Sequence, residues 1–107
     1  MELFIKDRIY IPQLLPAQNS FMEYNLKKSI IKKVEFSQEE RKKYSFKEEG
    51  ENKLTWDGKL DVANPLKVKF TKEELEFLKS SCEKLAESPQ PDEVWAVVNK
   101  IYNAAIA

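Results

Sequence analysis

Glu48, Glu49, Glu51 and Asp57 are carboxylates close enough in sequence to work as an acid–base pair, and Asp57, Asp61 and Asn64 supply hard oxygens of the kind a divalent cation takes. Neither group has the arrangement its chemistry needs. Adjacent charges on a short hairpin face water, and the Asp57 segment lacks the Asp-x-Asp-x-Asp-Gly pattern and distal glutamate of a calcium loop. Histidine, the side chain best suited to proton exchange near pH 7 and the commonest metal ligand, does not occur among the 107 residues. Cys82 is the single cysteine and shares helical spacing with Leu75, Leu78 and Leu85, which reads as a buried, unreactive thiol. The sequence predicts no catalytic residue, no metal and no cofactor, and it points away from an enzyme.

The elements that would position any site are marked most clearly at helix starts. Ser20 with Glu23, Ser37 with Glu40 and Thr71 with Glu74 each place a hydroxyl three residues before a glutamate. In this pattern the hydroxyl accepts from the third helical amide and the carboxylate reaches back to the cap. After Ser20, Met22, Leu26, Ile30 and Val34 recur every four residues and predict an amphipathic helix with that stripe buried. A short helix follows Ser37. Residues 45–49 and 53–57 alternate around Gly50-Glu51-Asn52 as two strands of a hairpin that Asp57-Gly58 ends, and residues 66–70 alternate as a strand with a wet lysine face. Thr71 opens a helix with Leu75, Leu78, Cys82 and Leu85 inward. Pro89 and Pro91 break it, and Asp92-Glu93 open a last helix. Residues 9 to 15 fit either a strand or a short helix broken at Pro12. The expected fold is α+β in a single domain, residues 1–107, with a small, mostly antiparallel sheet packed against three to four helices.

Two surfaces stand out. Val94, Trp95, Val98, Ile101, Tyr102 and Ile106 give the last helix more apolar surface than one side of a small core absorbs. They are the candidate protein interface, with Trp95 as anchor, for a second copy in a homodimer or for another protein. Lys27, Lys28, Lys32, Lys33, Arg41, Lys42 and Lys43 are offset nearby only by Glu35, Glu39 and Glu40, and are the candidate phosphate-contacting residues. A solvated helix face is the plainer reading of such lysines, so nucleic acid ranks behind protein as a partner. Over the whole chain 18 basic and 18 acidic residues cancel, which argues against bulk attraction to nucleic acid or anionic membrane. The longest uncharged run, residues 9–22, is polar in part and shorter than the ~20 apolar residues of a spanning helix. Charges within the first eight residues do not fit a secretory signal, and one cysteine requires no oxidising compartment, so a cytoplasmic setting is expected.

Leu14-Leu15-Pro16, the helix from Ser20, Phe36-Ser37-Gln38-Glu39-Glu40, Phe46-Lys47-Glu48-Glu49-Gly50 and Trp56-Asp57 together resemble a group of small phage and prophage proteins. That group shares a Leu-Pro element, an "FS-x-E-E" helix start and an "F-x-x-E…W" hairpin. The likeness covers roughly residues 8 to 60. It brings no activity and no catalytic residue with it, and the shared positions are turn, cap and core in type. The chain departs from the group in having extra residues before the Leu-Pro element and a more aromatic, less charged final helix. The resemblance implies a host-cell setting or association with a virion. The expected function is that of a non-enzymatic phage or prophage accessory protein acting through protein binding, to itself or to a host or virion component. Contact with nucleic acid through residues 27 to 43 is the alternative.

Overall fold

The three serine- and threonine-led helix starts form as their sequences require. In a computed structural model, which describes residues 1–50 and 53–106, the Ser20 hydroxyl accepts from the Glu23 amide at 3.2 Å and the Glu23 carboxylate accepts from the Ser20 amide at 2.9 Å. Ser37 with Glu40 and Thr71 with Glu74 repeat the exchange. In chain order the elements are β1 (Glu2–Leu3), α1 (Ile5–Leu14), α2 (Phe21–Val34), α3 (Gln38–Lys43), β2 (Lys47–Glu48), β3 (Leu54–Thr55), α4 (Gly58–Ala63), β4 (Leu66–Lys67), α5 (Lys72–Leu85) and α6 (Asp92–Ile106). The class is α+β, with more helix and less sheet than the three to four helices and single sheet expected from sequence.

Two helices account for the excess. Residues 9 to 14 belong to α1, because Ile5, Arg8, Ile11 and Leu14 recur every third residue and all turn inward. Pro12 lies in the last turn, where its missing amide costs one bond, and the helix ends two residues later. The other is α4. Asp57 and Gly58 end the hairpin as expected, but the Asp57 carboxylate also accepts from the amides of Lys59 and Leu60 at 3.0 and 3.2 Å, capping six further residues as helix.

The strands form two separate antiparallel pairs. Glu2 and Leu3 face Lys67 and Leu66, and Lys47 and Glu48 face Thr55 and Leu54. Each ladder is two residues long, so the alternating segments at 45–49, 53–57 and 66–70 contribute only their central or first residues to regular strand. Beyond β4 the backbone stays near the start of the chain, and the Val68 amide donates to the Met1 carbonyl at 2.9 Å.

Four helices enclose the core. α1 and α5 each pack against both α2 and α6. Their inward residues are Ile11 and Leu14 from α1, with Leu15 just after it, Ile30 and Val34 from α2, Phe77, Leu78 and Cys82 from α5, and Val94, Val97 and Ile101 from α6. Leu3 of β1 and Phe70, between β4 and α5, belong to the same cluster. Leu75 and Leu85, expected inside, pack at the edge of this cluster, because the centre of the α5 stripe falls at Phe77, Leu78 and Cys82. Met22 is a larger departure. It is 72% exposed, since the neighbours of α2 cover the helix only from Leu26 onward.

Charged side chains tie these helices together. Arg8 is almost fully buried and donates to the Val34 and Glu35 carbonyls at 2.9 and 2.6 Å and to both oxygens of Glu40 at 2.6 and 3.1 Å. It thereby satisfies carbonyls at the end of α2 and neutralises the first turn of α3. Glu74 is buried too, and its carboxylate accepts from Lys33 and Ser29 of α2 as well as from the Thr71 amide. Asp61 accepts from the first amide of α1 at 2.9 Å, and Lys100 of α6 donates to Asp7 at 2.6 Å.

Candidate functional site

The last helix divides its apolar residues between two destinations. Val94, Val97 and Ile101 are consumed by the core, so two of the six candidate interface residues, Val94 and Ile101, are inaccessible from outside. Trp95 and Val98 are half-buried, Tyr102 is 36% exposed and Ile106 is 59% exposed. At 100° per residue, Trp95, Tyr102 and Ile106 fall along one line, with Val98 between it and the core. This flank lies on the α5 side, where the Lys79 ammonium sits 5.5 Å from the centre of the Tyr102 ring. The breadth that the sequence shows is therefore a buried stripe plus an exposed apolar flank.

From Val94 onward α6 itself adds no charge to that flank, whose nearest cation is Lys79 of α5. Between Val94 and Ile106 the one ionic side chain is Lys100, and it points to the opposite side, onto Asp7 and the face of the Phe4 ring at 4.7 Å. The residues beside the apolar line are Asn99 and Asn103. At the start of the helix Glu93 is turned toward α1, accepting from Lys6 at 2.6 Å and from the Tyr10 hydroxyl at 2.8 Å. The Lys6 hydrogen bond, joined by that from Tyr10, lowers its pKa.

The seven candidate phosphate-contacting cations do not form one surface. Lys27 donates to the Pro16 carbonyl at 2.9 Å, and Lys33 is spent on Glu74 and the Lys69 carbonyl. Lys28 and Lys32 point outward from α2. Lys42 and Lys43 are exposed on α3, where Lys43 lies 5.6 Å from the centre of the Tyr44 ring, and Arg41 lines a cleft beside the hairpin. Two of the seven are thus structural ties and the others are divided between helices.

The cleft holds about 520 Å³ and is walled by Phe36, Phe46 and Leu54, with Arg41, Glu48 and Lys53 at its sides. Its aromatic wall is Phe36 against Phe46, edge to face at 4.9 Å, with the Arg8 guanidinium 4.2 Å above the Phe36 ring. Glu48 reaches this cleft, whereas Glu49 and Asp57 line a shallower depression with Trp56. Successive strand residues point to opposite faces, so the hairpin separates the carboxylates that stand together in sequence. Glu51 lies outside the described residues. The oxygens considered for a cation have other partners: Asp57 caps α4 and Asp61 holds the start of α1. Cys82 is enclosed by the core, and burial pushes its thiol up to about 11, which keeps it protonated and poorly nucleophilic at neutral pH.

Sequence reasoning missed the exposed apolar surface at the start of α2. Phe21, Met22 and Tyr24 are exposed there, and the missed signal was Phe21 itself, one residue outside the four-residue stripe. No helix among the described residues is long and apolar enough to cross a membrane. The chain matches no protein-family model, no curated protein and no solved structure.

Proposed function

We propose that this protein is a non-enzymatic accessory protein of the phage or prophage kind, and that it works by associating with a second copy of itself through the exposed flank of α6. One observation carries the self-association: Trp95, Val98, Tyr102 and Ile106 form an apolar line on a helix whose single lysine is committed to an internal ion pair. In a two-fold contact each patch meets its own copy, so any charge on it would face a like charge. An α6 flank that contributes no charge of its own, beside a Lys79 that has Glu83 within 3.9 Å, keeps that cost low and removes apolar surface from water on both subunits. The phage setting rests on the resemblance of residues 8 to 60.

Sedimentation velocity tests the reading. A dimer is expected at high micromolar concentration, and Ile106→Asp together with Tyr102→Asp should return it to a monomer that keeps the helical circular dichroism of the wild type, because both side chains lie on the outer flank. Trp95→Ala is expected to weaken association by roughly 2 kcal/mol or more, as loss of a central aromatic anchor does. A monomer at every concentration, unchanged by these substitutions, would refute it.

A further inference from the structure

We infer that the outward face of α2 binds single-stranded nucleic acid, with Phe21 and Tyr24 as base-stacking rings and Lys28 and Lys32 as phosphate contacts. Phe21 is 76% exposed and Tyr24 49%, and Met22 beside them is largely exposed as well, so the first turn of α2 presents more apolar surface than the flank of α6 does. Phe21, Lys28 and Lys32 lie seven and then four residues apart on one helix line, ~10 Å and ~6 Å along the axis. Tyr24 sits beside that line, its ring centre 5.5 Å from the Lys28 ammonium.

The charge of this face follows from what its neighbours do. α2 contains four lysines and one acid. The acid, Glu23, is folded back onto the Ser20 amide, and two of the lysines, Lys27 and Lys33, are bound to internal acceptors. Lys28 and Lys32 make no ion pair among the described residues. Exposed rings followed in line by unpaired cations match the two faces of an unpaired strand, whose bases offer π surfaces and whose backbone offers phosphates. A duplex keeps its bases stacked away from such rings. A membrane surface calls for an apolar stripe running the length of the helix, and here the lysines occupy that line after less than two turns. With no net charge on the chain, attraction is local to this face and sensitive to salt.

Fluorescence anisotropy of a labelled oligothymidylate at low salt, compared with a duplex of equal length and with phosphatidylserine vesicles, tests this. Preferential binding of the single strand is expected, with log affinity falling against log salt at a slope of about −1.4 for two phosphate contacts. Phe21→Leu with Tyr24→Leu should weaken it about tenfold or more, whereas Phe21→Tyr should keep it, since only the π face is needed. Lys28→Glu with Lys32→Glu should abolish binding, and Lys42→Glu with Lys43→Glu should leave it unchanged. Absence of saturable binding at about 100 µM protein overturns the inference, since even non-specific nucleic-acid contacts reach that range. So does binding that survives loss of both rings, that requires Lys42 and Lys43, or that prefers duplex or vesicles.

Discussion

The helical core and the segment from Phe36 to Trp56 are secured in different ways. In the core, side chains from four helices are removed from water, and buried carboxylates on helix starts receive lysines from neighbouring helices. In the segment, four aromatic residues meet one another: Phe46 lies 4.9 Å from Phe36, 6.4 Å from Tyr44 and 6.5 Å from Trp56, and of the four Tyr44 alone is buried. Its strands are two residues long. The two regions join at Arg8, whose guanidinium belongs to α1 yet holds Glu40 of α3 and covers the Phe36 ring. A region with little buried surface can thus be fixed largely by one charge that makes four hydrogen bonds, and its stability is concentrated there where the core spreads its own over many contacts.

Breaking Arg8 should therefore have the largest effect. Arg8→Ala leaves the partly buried Glu40 carboxylate without its partner and the Val34 and Glu35 carbonyls without their charged donor, and should cost about 3 kcal/mol or more, since hydrogen bonds to a charged group contribute about 1.5–3 kcal/mol each. The chain reports the two regions separately, since Trp56 lies in the segment and Trp95 on α6. In single-tryptophan variants carrying Arg8→Ala, urea should disorder the Trp56 environment before that of Trp95. Coincident transitions would show that the regions melt as one.

Acid should weaken both regions, and the carboxylates differ in why. Arg8 hydrogen-bonded to Glu40 lowers its pKa, with help from the Ser37 amide and against some burial. For Glu74 burial by itself works upward, and the hydrogen bonds from Lys33, the Thr71 amide and Ser29 outweigh it, so its pKa also falls below the ordinary 4.5. Groups lowered on folding stabilise the protein fully above that ordinary value and stop doing so as pH drops through the lowered one. Stability should accordingly decline on acidification from about pH 4.5 downward. Glu74→Gln should flatten that decline while reducing stability at neutral pH by about 1–3 kcal/mol, because Lys33 loses its anion. Identical slopes for wild type and variant in acid denaturation would remove Glu74 from the account.

The smallest effect sharpens the comparison in the opposite direction. Ser45 follows the end of α3 with φ of 56°, while its amide donates to the Lys42 carbonyl at 3.2 Å and the Phe46 amide to the Arg41 carbonyl at 3.0 Å. This pair of bonds ends a helix through a left-handed residue, a position that suits glycine. Ser45→Gly should stabilise by about 0.5–1 kcal/mol, read as a rise in the urea midpoint seen by Trp56. A lower midpoint would mean that the serine side chain contributes more than the backbone strain costs.

What could be read from the sequence was local. The capping boxes at Ser20, Ser37 and Thr71 are legible because donor and acceptor lie three residues apart, and the inward stripe of α6 because its period is helical. Asp57-Gly58 marks a turn equally well as a helix cap, so α4 was hidden behind a correct reading of the same two residues. Met22 continued the four-residue stripe of α2 beyond the point where neighbours cover it, and nothing in the stripe itself records where cover ends. The basic cluster read as one group because its members are close in sequence. Its division depends on Pro16, Glu74 and Lys69, which lie 11, 41 and 36 residues from the lysines they receive.

Helix α1 draws its polar partners from almost the whole length of the chain. Its polar contacts reach Val34, Glu40, Asp61 and Lys100, at sequence separations of 26, 32, 56 and 93 residues. Loops of that span must close before these contacts form, and chains dominated by distant contacts fold more slowly than those with near ones. The loops to Val34 and Glu40 are shorter than the 41 residues between Lys33 and Glu74 that join α2 to α5, whereas the loop to Lys100 is more than twice as long. The tie between Lys100 of α6 and Asp7 of α1 closes the longest of these loops and is therefore expected to form after those that bind α1 to α2 and α3.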